Sequence, residues 1–243
     1  MDWNWQVIFD HIPDLLGGAV LTAQLVVFSG IVGLIFGLIL AQLRLSKSVA
    51  VQALPFAYIF FFRGTPLLVQ IFLIYYGLGQ FEAIRSSFLW EPVLSQAYWC
   101  AIIAFTMNTS AYLAEIFRGA IQAIPAGELE AADAIGMSKW QKLTRITLPR
   151  AFGIVIPAYS NEVIFMLKGS ALASTIALMD ITGVARTISA RTYTLMELFF
   201  AAGVIYLLLS WVILFGFRLL EQRLNRYMTY VPPDVVTKTI PEL

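Results

Sequence analysis

The chain has 243 residues, of which 59% are hydrophobic and only 13% are charged, and its mean hydropathy is +0.78. A soluble domain carries about 25% charged residues, so this composition excludes an ordinary soluble protein and indicates a polytopic membrane protein. The net charge of +1 is uninformative as a total, and no nucleic-acid partner is expected. One cysteine and one histidine argue against a disulfide within the chain, a metal site and histidine-based catalysis.

Apolar segments predict an all-α integral membrane protein with about five transmembrane helices, since a span needs about 20 apolar residues. Residues 1–14 lack the basic start of a cleavable signal peptide and are expected to form an outer N-terminal segment. Residues 15–221 form the predicted membrane domain, and residues 222–243 form an inner C-terminal tail. The spans are predicted near residues 15–43, 53–80, 95–117, 151–168 with an extension to 179, and 198–217.

The first span contains Gly30, Gly33 and Gly37. Small residues four positions apart permit close contact between two helices. Glycines also occur in spans that make no such contact, so the sequence leaves both interpretations open.

The second apolar segment is interrupted at Arg63-Gly64-Thr65-Pro66. Pro66 lacks a backbone donor and biases Thr65 away from the helical conformation. We therefore expect a kinked or broken span, with Arg63 about 15 Å deep at 1.5 Å per residue.

Polar side chains lie near the middle of the third and fourth spans. The third span carries Asn108 and Thr109, and the fourth carries Ser160, Asn161 and Glu162. Ionisable groups in hydrocarbon are costly and usually face a cavity or a partner, so this set is the candidate transport site.

Basic residues predict the orientation, because they concentrate on the inner side of a membrane protein. None precedes the first span, so the N-terminus is expected outside and the C-terminus inside. Glu115 and Arg118, three residues apart at the inner end of the third span, are expected to form an ion pair. Eleven of the sixteen Lys and Arg residues fall on the predicted inner side: Arg44, Lys47, Arg118, Lys139, Lys142, Arg145, Arg150, Arg218, Arg223, Arg226 and Lys238.

The polar interval from Pro125 to Pro149 predicts two short helices. Gly136 is expected to end the first helix with a left-handed C-cap. Ser138 and Gln141 form a capping-box pattern at the start of the second helix, which Pro149 is expected to end. Apolar residues repeat at helical spacing through the interval: Leu129, Ala132, Ile135, Trp140 and Leu143.

Several segments carry a resemblance to a known family. Glu130-Ala131-Ala132, then Gly136, then Ile146-x-Leu148-Pro149 resembles the cytoplasmic EAA loop of permease subunits in binding-protein-dependent ABC importers, so residues 125–149 are called the EAA loop below. Residues 63–70 and 108–121 resemble the polar-amino-acid uptake branch. Residues 157–163 are similar to the M-type permease subunit of histidine, lysine, arginine and ornithine importers and of opine importers.

The resemblance implies an ABC type I importer permease fold in the bacterial inner membrane, with a periplasmic N-terminus and a cytoplasmic C-terminus. Its implied partners are a second similar permease, two copies of an ABC ATPase and a periplasmic substrate-binding protein. The chain lacks a Gly-rich phosphate loop, so it is expected to be non-catalytic and to hold no cofactor, with ATP and Mg bound by the ATPase. The resemblance assigns ATPase coupling to Glu130, Ala131, Ala132, Ile135, Gly136, Trp140, Leu143 and Pro149.

The implied substrate is an amino acid, with basic amino acids first and opines next. Glu162 is expected to bind a cationic side chain, with Asn161 and Asn108 giving hydrogen bonds. Glu162 could instead pair with Arg63 or Lys168 to hold helices together. Arg63 could clamp a substrate carboxylate, although a structural role at the break in the second span is favoured.

Charged residues predicted on the outer side are weak candidates for docking the binding protein, because solvated loops carry charges in any case. A stand-alone secondary amino-acid transporter or channel is the alternative to the importer subunit. These docking candidates are Arg85, Asp180, Arg186 and Arg191.

Overall fold

The computed structural model describes residues 3–224, so Arg226, Lys238 and almost all of the predicted C-terminal tail lie outside the described residues. The described part is built from helices. They are α1 (Trp5–Arg44), α2 (Val49–Gly64), α3 (Leu67–Phe72), α4 (Glu82–Arg85), α5 (Ala97–Gln122), α6 (Ala126–Ala134), α7 (Lys139–Lys142), α8 (Leu148–Gly169), α9 (Ile181–Thr192) and α10 (Leu195–Leu224).

Four helical segments are long and apolar enough to cross a membrane, and a bent pair of helices adds a fifth candidate. The prediction of about five spans is therefore confirmed for the described residues. The pair α2 and α3, with the turns that follow to Gln80, bends by 110° at the predicted break. The four continuous segments are Trp5–Arg44, Ala97–Gln122, Lys139–Ile176 and Leu195–Leu224.

The first helix begins at Trp5, well before the predicted start near residue 15. The side chain of Asn4 caps this helix by accepting a hydrogen bond from the backbone N–H of Val7 at 3.4 Å. Pro13 lies inside the helix. The helix thus extends beyond the uncharged stretch of residues 15–43 on which the predicted span rests, and the bounds of the span itself stay a prediction.

Helix α1 packs closely along α5, and its glycines permit this contact. A Cβ atom added to Gly37 would lie 2.6 Å from the Cβ of Leu113, and one added to Gly33 would lie 3.0 Å from the Cγ2 of Thr109. Real Cβ atoms essentially never approach as closely as the first distance, and the second is tighter than nine in ten real Cβ contacts. Of the two interpretations that the sequence left open, the close helix contact is therefore confirmed.

The break between α2 and α3 is held by a buried side-chain amide. Gln70 is only 1% exposed, and its amide nitrogen lies 2.8 Å from the carbonyl oxygen of Phe62, 3.0 Å from that of Thr65 and 2.8 Å from the Thr65 hydroxyl. Asn108 donates to the Gln70 side-chain oxygen at 3.0 Å and to the Phe62 carbonyl at 3.2 Å. These bonds satisfy backbone groups that the interruption at Pro66 releases from the helix.

A short turn of 3-10 helix, Ser170–Ile176, follows α8, and Asp180 then caps α9. The Asp180 carboxylate accepts hydrogen bonds from the backbone N–H groups of Thr182 (3.2 Å) and Gly183 (3.1 Å) and from the Tyr206 hydroxyl (3.2 Å). Burial raises the pKa of the Asp180 carboxyl above its usual value, while these hydrogen bonds oppose the rise. The side chain is fully buried, so its predicted exposure to a docking partner is wrong.

The EAA loop folds as two helices, as predicted. Gly136 follows α6 with φ +77°, and Ser138 and Gln141 complete the capping box at the start of α7. Pro149, however, does not end the second helix. Wide π-helical turns from Leu143 to Thr147 join α7 to α8, and Pro149 lies in the first turn of α8, where the missing N–H is tolerated.

Candidate functional site

A cavity of about 310 Å³ lies where α3, α5 and α8 meet. Its volume is at the lower end of the range for pockets that bind small molecules. Most of its lining is apolar, and Glu162 brings the single carboxylate. The lining residues are Leu67, Phe105, Asn108, Thr109, Tyr112, Glu162, Phe165 and Met166.

Glu162 is 9% exposed and faces this cavity from the middle of α8. Its carboxylate accepts a long hydrogen bond of 3.5 Å from the Thr109 hydroxyl, which also lies 3.4 Å from the sulfur of Met166. The ion pairs found within residues 3–224 do not include Glu162, so the predicted alternative of a structural pair with Arg63 or Lys168 does not form.

The other polar residues of the candidate set divide into two groups. Asn108 and Thr109 line the cavity with Glu162, whereas Ser160 and Asn161 do not. Asn161 is exposed and does not line this cavity. Its hydrogen bond to a substrate therefore stays a prediction.

Arg63 lies next to the cavity with its guanidinium carbon 5.3 Å from the centre of the Tyr112 ring. Its structural role at the break is not seen, because Gln70 and Asn108 hold that segment. Arg63 instead lines a second cavity of about 310 Å³ with Arg44 and Glu115.

Glu115, which lines this second cavity, already has a partner outside its lining. Arg118 donates to its two carboxylate oxygens at 3.1, 3.1 and 2.7 Å, so the predicted ion pair is confirmed. Arg44 lies farther from Glu115, at 3.9 Å, and stacks on the ring of Phe56. The carboxylate is thus held by the bidentate guanidinium of Arg118.

Two ion pairs brace the EAA loop. Arg150 donates to Glu128 at 2.9 and 2.5 Å and ties the first turn of α6 to the first turn of α8. Lys142 contacts Asp133 at 2.5 Å and ties α6 to the helix that follows Gly136. The two pairs therefore hold α6 against both α7 and the start of α8.

The apolar residues of the EAA loop differ in their exposure. Ala132 is buried, whereas Ile135 and Trp140 are 73% and 71% exposed. Glu130, Ala131, Gly136 and Pro149 are also exposed, and Leu143 is partly buried. Two large apolar side chains on one exposed loop favour contact with another surface.

Three of the four docking candidates lie at the surface. Arg85, Arg186 and Arg191 are exposed, and Arg186 also donates to the carbonyl oxygen of Ser174 at 2.9 Å. Asp180 is the exception described above.

Sequence reasoning did not single out three residues that the site uses. Gln70 positions Asn108, Tyr112 lines the cavity and stacks with Arg63, and Met166 contacts Thr109. Gln70 gave a usable signal, since it is a polar residue inside the apolar run after Pro66. Tyr112 and Met166 gave none, because aromatic residues and methionine are common in any span.

A helical bundle that places a buried carboxylate on a central cavity is typical of a membrane transport protein. Residues 33–226 match the family described as the inner membrane component of binding-protein-dependent transport systems, and the chain belongs to this family. It is a permease subunit of an ABC importer with several apolar helices, a transport component and not a catalyst. This membership removes the alternative of a stand-alone transporter or channel.

Similar proteins are octopine, nopaline and basic-amino-acid permeases. The chain is 47% identical to the octopine transport system permease protein of Rhizobium radiobacter, over 90% of this chain and 91% of that protein. Identity is 41% to the nopaline permease protein of Agrobacterium fabrum, over 92% of each chain. It is 38% to the histidine/lysine/arginine/ornithine permease protein of Escherichia coli, over 89% and 90%.

Solved structures of ABC transporters share the fold. An amino acid ABC transporter crystallised with histidines gives a TM-score of 0.80 at 32% identity, over 92% of this chain and all of that one. A methionine ABC transporter gives 0.75 at 18% identity, over 88% and 98%, which shows the fold alone.

Proposed function

We propose that this chain forms the translocation pathway of a bacterial inner-membrane importer for basic amino acids or opines, with Glu162 as the group that binds the cationic part of the substrate. The observation that carries the proposal is a buried carboxylate that faces a cavity and has no cationic partner within residues 3–224.

The energetics favour a ligand at this carboxylate. A buried charge without a partner is costly, and such a group in a membrane protein usually faces its substrate or ion. The long 3.5 Å hydrogen bond from Thr109 offsets little of that cost. A positively charged side chain of the substrate would supply the missing partner at the moment of passage.

The relatives support the same class of substrate. Their names refer to octopine, nopaline, and histidine, lysine, arginine and ornithine. The last four have side chains that carry a positive charge when protonated. Such a charge matches a cavity in which Glu162 is the single carboxylate and no basic residue is part of the lining.

The proposal includes partners that supply energy and selectivity. A second, homologous permease subunit, two copies of an ABC ATPase that binds ATP and Mg, and a periplasmic substrate-binding protein complete the importer. The exposed side chains of Ile135 and Trp140 would seat in the ATPase, and the braced EAA loop would pass its motion to α5 and α8.

Transport by the assembled complex tests the role of Glu162. The complex with Glu162→Gln is reconstituted in proteoliposomes with its binding protein, and arginine uptake and basal ATP hydrolysis are both measured. Loss of a charge-assisted contact of about 1.5–3 kcal/mol lowers uptake by about 10- to 100-fold. Basal hydrolysis stays unchanged, because it depends on the partner subunit.

Glu221→Gln is the matched control, since it removes the same charge near the far end of α10, away from the cavity. We expect normal uptake from this variant. Uptake by Glu162→Gln equal to that of the control would refute the assignment of Glu162.

A further inference from the structure

We infer that Arg63 binds the carboxylate of the transported amino acid while Glu162 binds its cationic side chain. This inference rests on the proposed function and adds a requirement for a free carboxylate to it. The site would then recognise both ends of the substrate through two groups of opposite charge.

The guanidinium of Arg63 has unused donors. Within residues 3–224 it takes part in none of the hydrogen bonds or ion pairs found, and its contact is with the face of the Tyr112 ring. An arginine always carries its charge and presents five N–H donors, and the Arg63 residue is exposed, so these donors are accessible to a ligand.

The neighbouring groups do not need Arg63. The break after α2 is held by Gln70, whose amide reaches Phe62 and Thr65. Glu115, the carboxylate that shares the second cavity, is already held at 2.7 Å by Arg118. Other side chains therefore fill both structural roles that Arg63 could have had, at the break after α2 and beside Glu115.

Tyr112 connects Arg63 to the cavity of Glu162. The tyrosine lines this cavity, and the guanidinium carbon of Arg63 lies 5.3 Å from the centre of its ring. Stacking on a ring leaves the N–H groups at the edge of the guanidinium open, which is the edge that binds a carboxylate in a bidentate manner.

The arrangement predicts which ligands the site accepts. A basic amino acid with its side chain on Glu162 extends past Tyr112 and brings its carboxylate to Arg63. Argininamide lacks the carboxylate, and citrulline lacks the side-chain charge. Each analogue should therefore lose one of the two contacts and keep the other.

The test measures ligand binding to the purified permease–ATPase complex in nanodiscs without the binding protein, which would impose its own selection. Arginine, argininamide and citrulline are titrated calorimetrically. The unaltered complex prefers arginine to each analogue by about 10- to 100-fold, the effect of one charge-assisted contact. Arg63→Gln loses the preference over argininamide and keeps the preference over citrulline.

Two further variants keep the outcome decisive. Arg63→Lys retains the charge without the bidentate fork, so it restores part of the preference over argininamide and remains available if Arg63→Gln does not fold. Arg218→Gln removes an exposed arginine of α10 and leaves both preferences intact.

Failure of the inference and failure of the proposed function give different results. The role of Arg63 is refuted if the unaltered complex does not prefer arginine to argininamide. It is also refuted if Arg63→Gln keeps that preference undiminished, or if Arg63→Lys does so in case Arg63→Gln does not fold. If Glu162→Gln still prefers arginine to citrulline, the proposed cation site itself is refuted.

Discussion

Replacing Gly37 by alanine should force α1 away from α5. The added Cβ would lie 2.6 Å from the Cβ of Leu113, 3.2 Å from the backbone nitrogen of Ala114 and 3.2 Å from the carbonyl oxygen of Ser110. The nearest of these atoms is a Cβ, fixed to the backbone, and the other two belong to the backbone itself. The contact can therefore be relieved only by a movement of one whole helix against the other.

The magnitude follows from the usual cost of overpacking. Adding a methyl group to a well-packed interface costs about 1–3 kcal/mol. Alanine also has the higher helix propensity, which returns about 0.5–1 kcal/mol. At about 2–4 °C for each kcal/mol in a chain of this size, Gly37→Ala should lower the midpoint of thermal unfolding by a few degrees.

The assay is thermal unfolding of the purified complex, followed by the fluorescence of its tryptophans, and Gly17→Ala is the matched control. Gly17 lies in the same helix, and an added Cβ there would meet no atom within 4 Å. Only the gain in helix propensity remains, so this variant should be equal to or slightly more stable than the unaltered protein. Equal stability of the two variants would refute the close contact between α1 and α5.

Two further predictions concern the break and the EAA loop. Gln70→Leu leaves the partly buried Thr65 carbonyl without this donor, which costs up to about 1–3 kcal/mol, and should increase proteolysis near residue 65. Gln80→Leu, at an exposed glutamine, should not increase it. Gly136→Ala places a Cβ at φ +77°, which costs about 1–2 kcal/mol, and should weaken retention of the ATPase in affinity purification. Gly136→Asn should weaken retention less, because asparagine tolerates this conformation. Equal retention by both variants would contradict the argument.

Local features of the fold could be predicted because their causes are local. The left-handed Gly136, the capping box at Ser138 and the interruption at Pro66 each depend on a few neighbouring residues. The passage of the helix through Pro149 was missed. This error came from treating a proline as a helix end, although prolines are tolerated where the ladder of hydrogen bonds is already incomplete.

The site could be predicted only in part, because it depends on contacts between distant segments. Glu162 and Thr109 were identified as intramembrane polar residues, and the structure brings them together. Asn161 was placed in the same set, but it is exposed and does not line the cavity. From the sequence, Asp180 was expected at the surface, but the close approach of α1 at Gly18 buries it.

The course of the chain through Pro149 bears on the proposed coupling. Residues Lys139–Ile176 form one helical segment that contains Trp140 near one end and Glu162 within it. At a rise of 1.5 Å per residue these two side chains lie roughly 33 Å apart along the helix. A displacement of the EAA loop by the ATPase would move the carboxylate of the cavity directly, without a flexible connection between them. The π-helical turns at Leu143–Thr147 are the weakest part of this segment, because their hydrogen bonds depart from the regular ladder. Helix α6 bridges these turns, because Asp133 binds Lys142 before them and Glu128 binds Arg150 after them. The two pairs would stiffen the segment at the point where bending would otherwise absorb the motion.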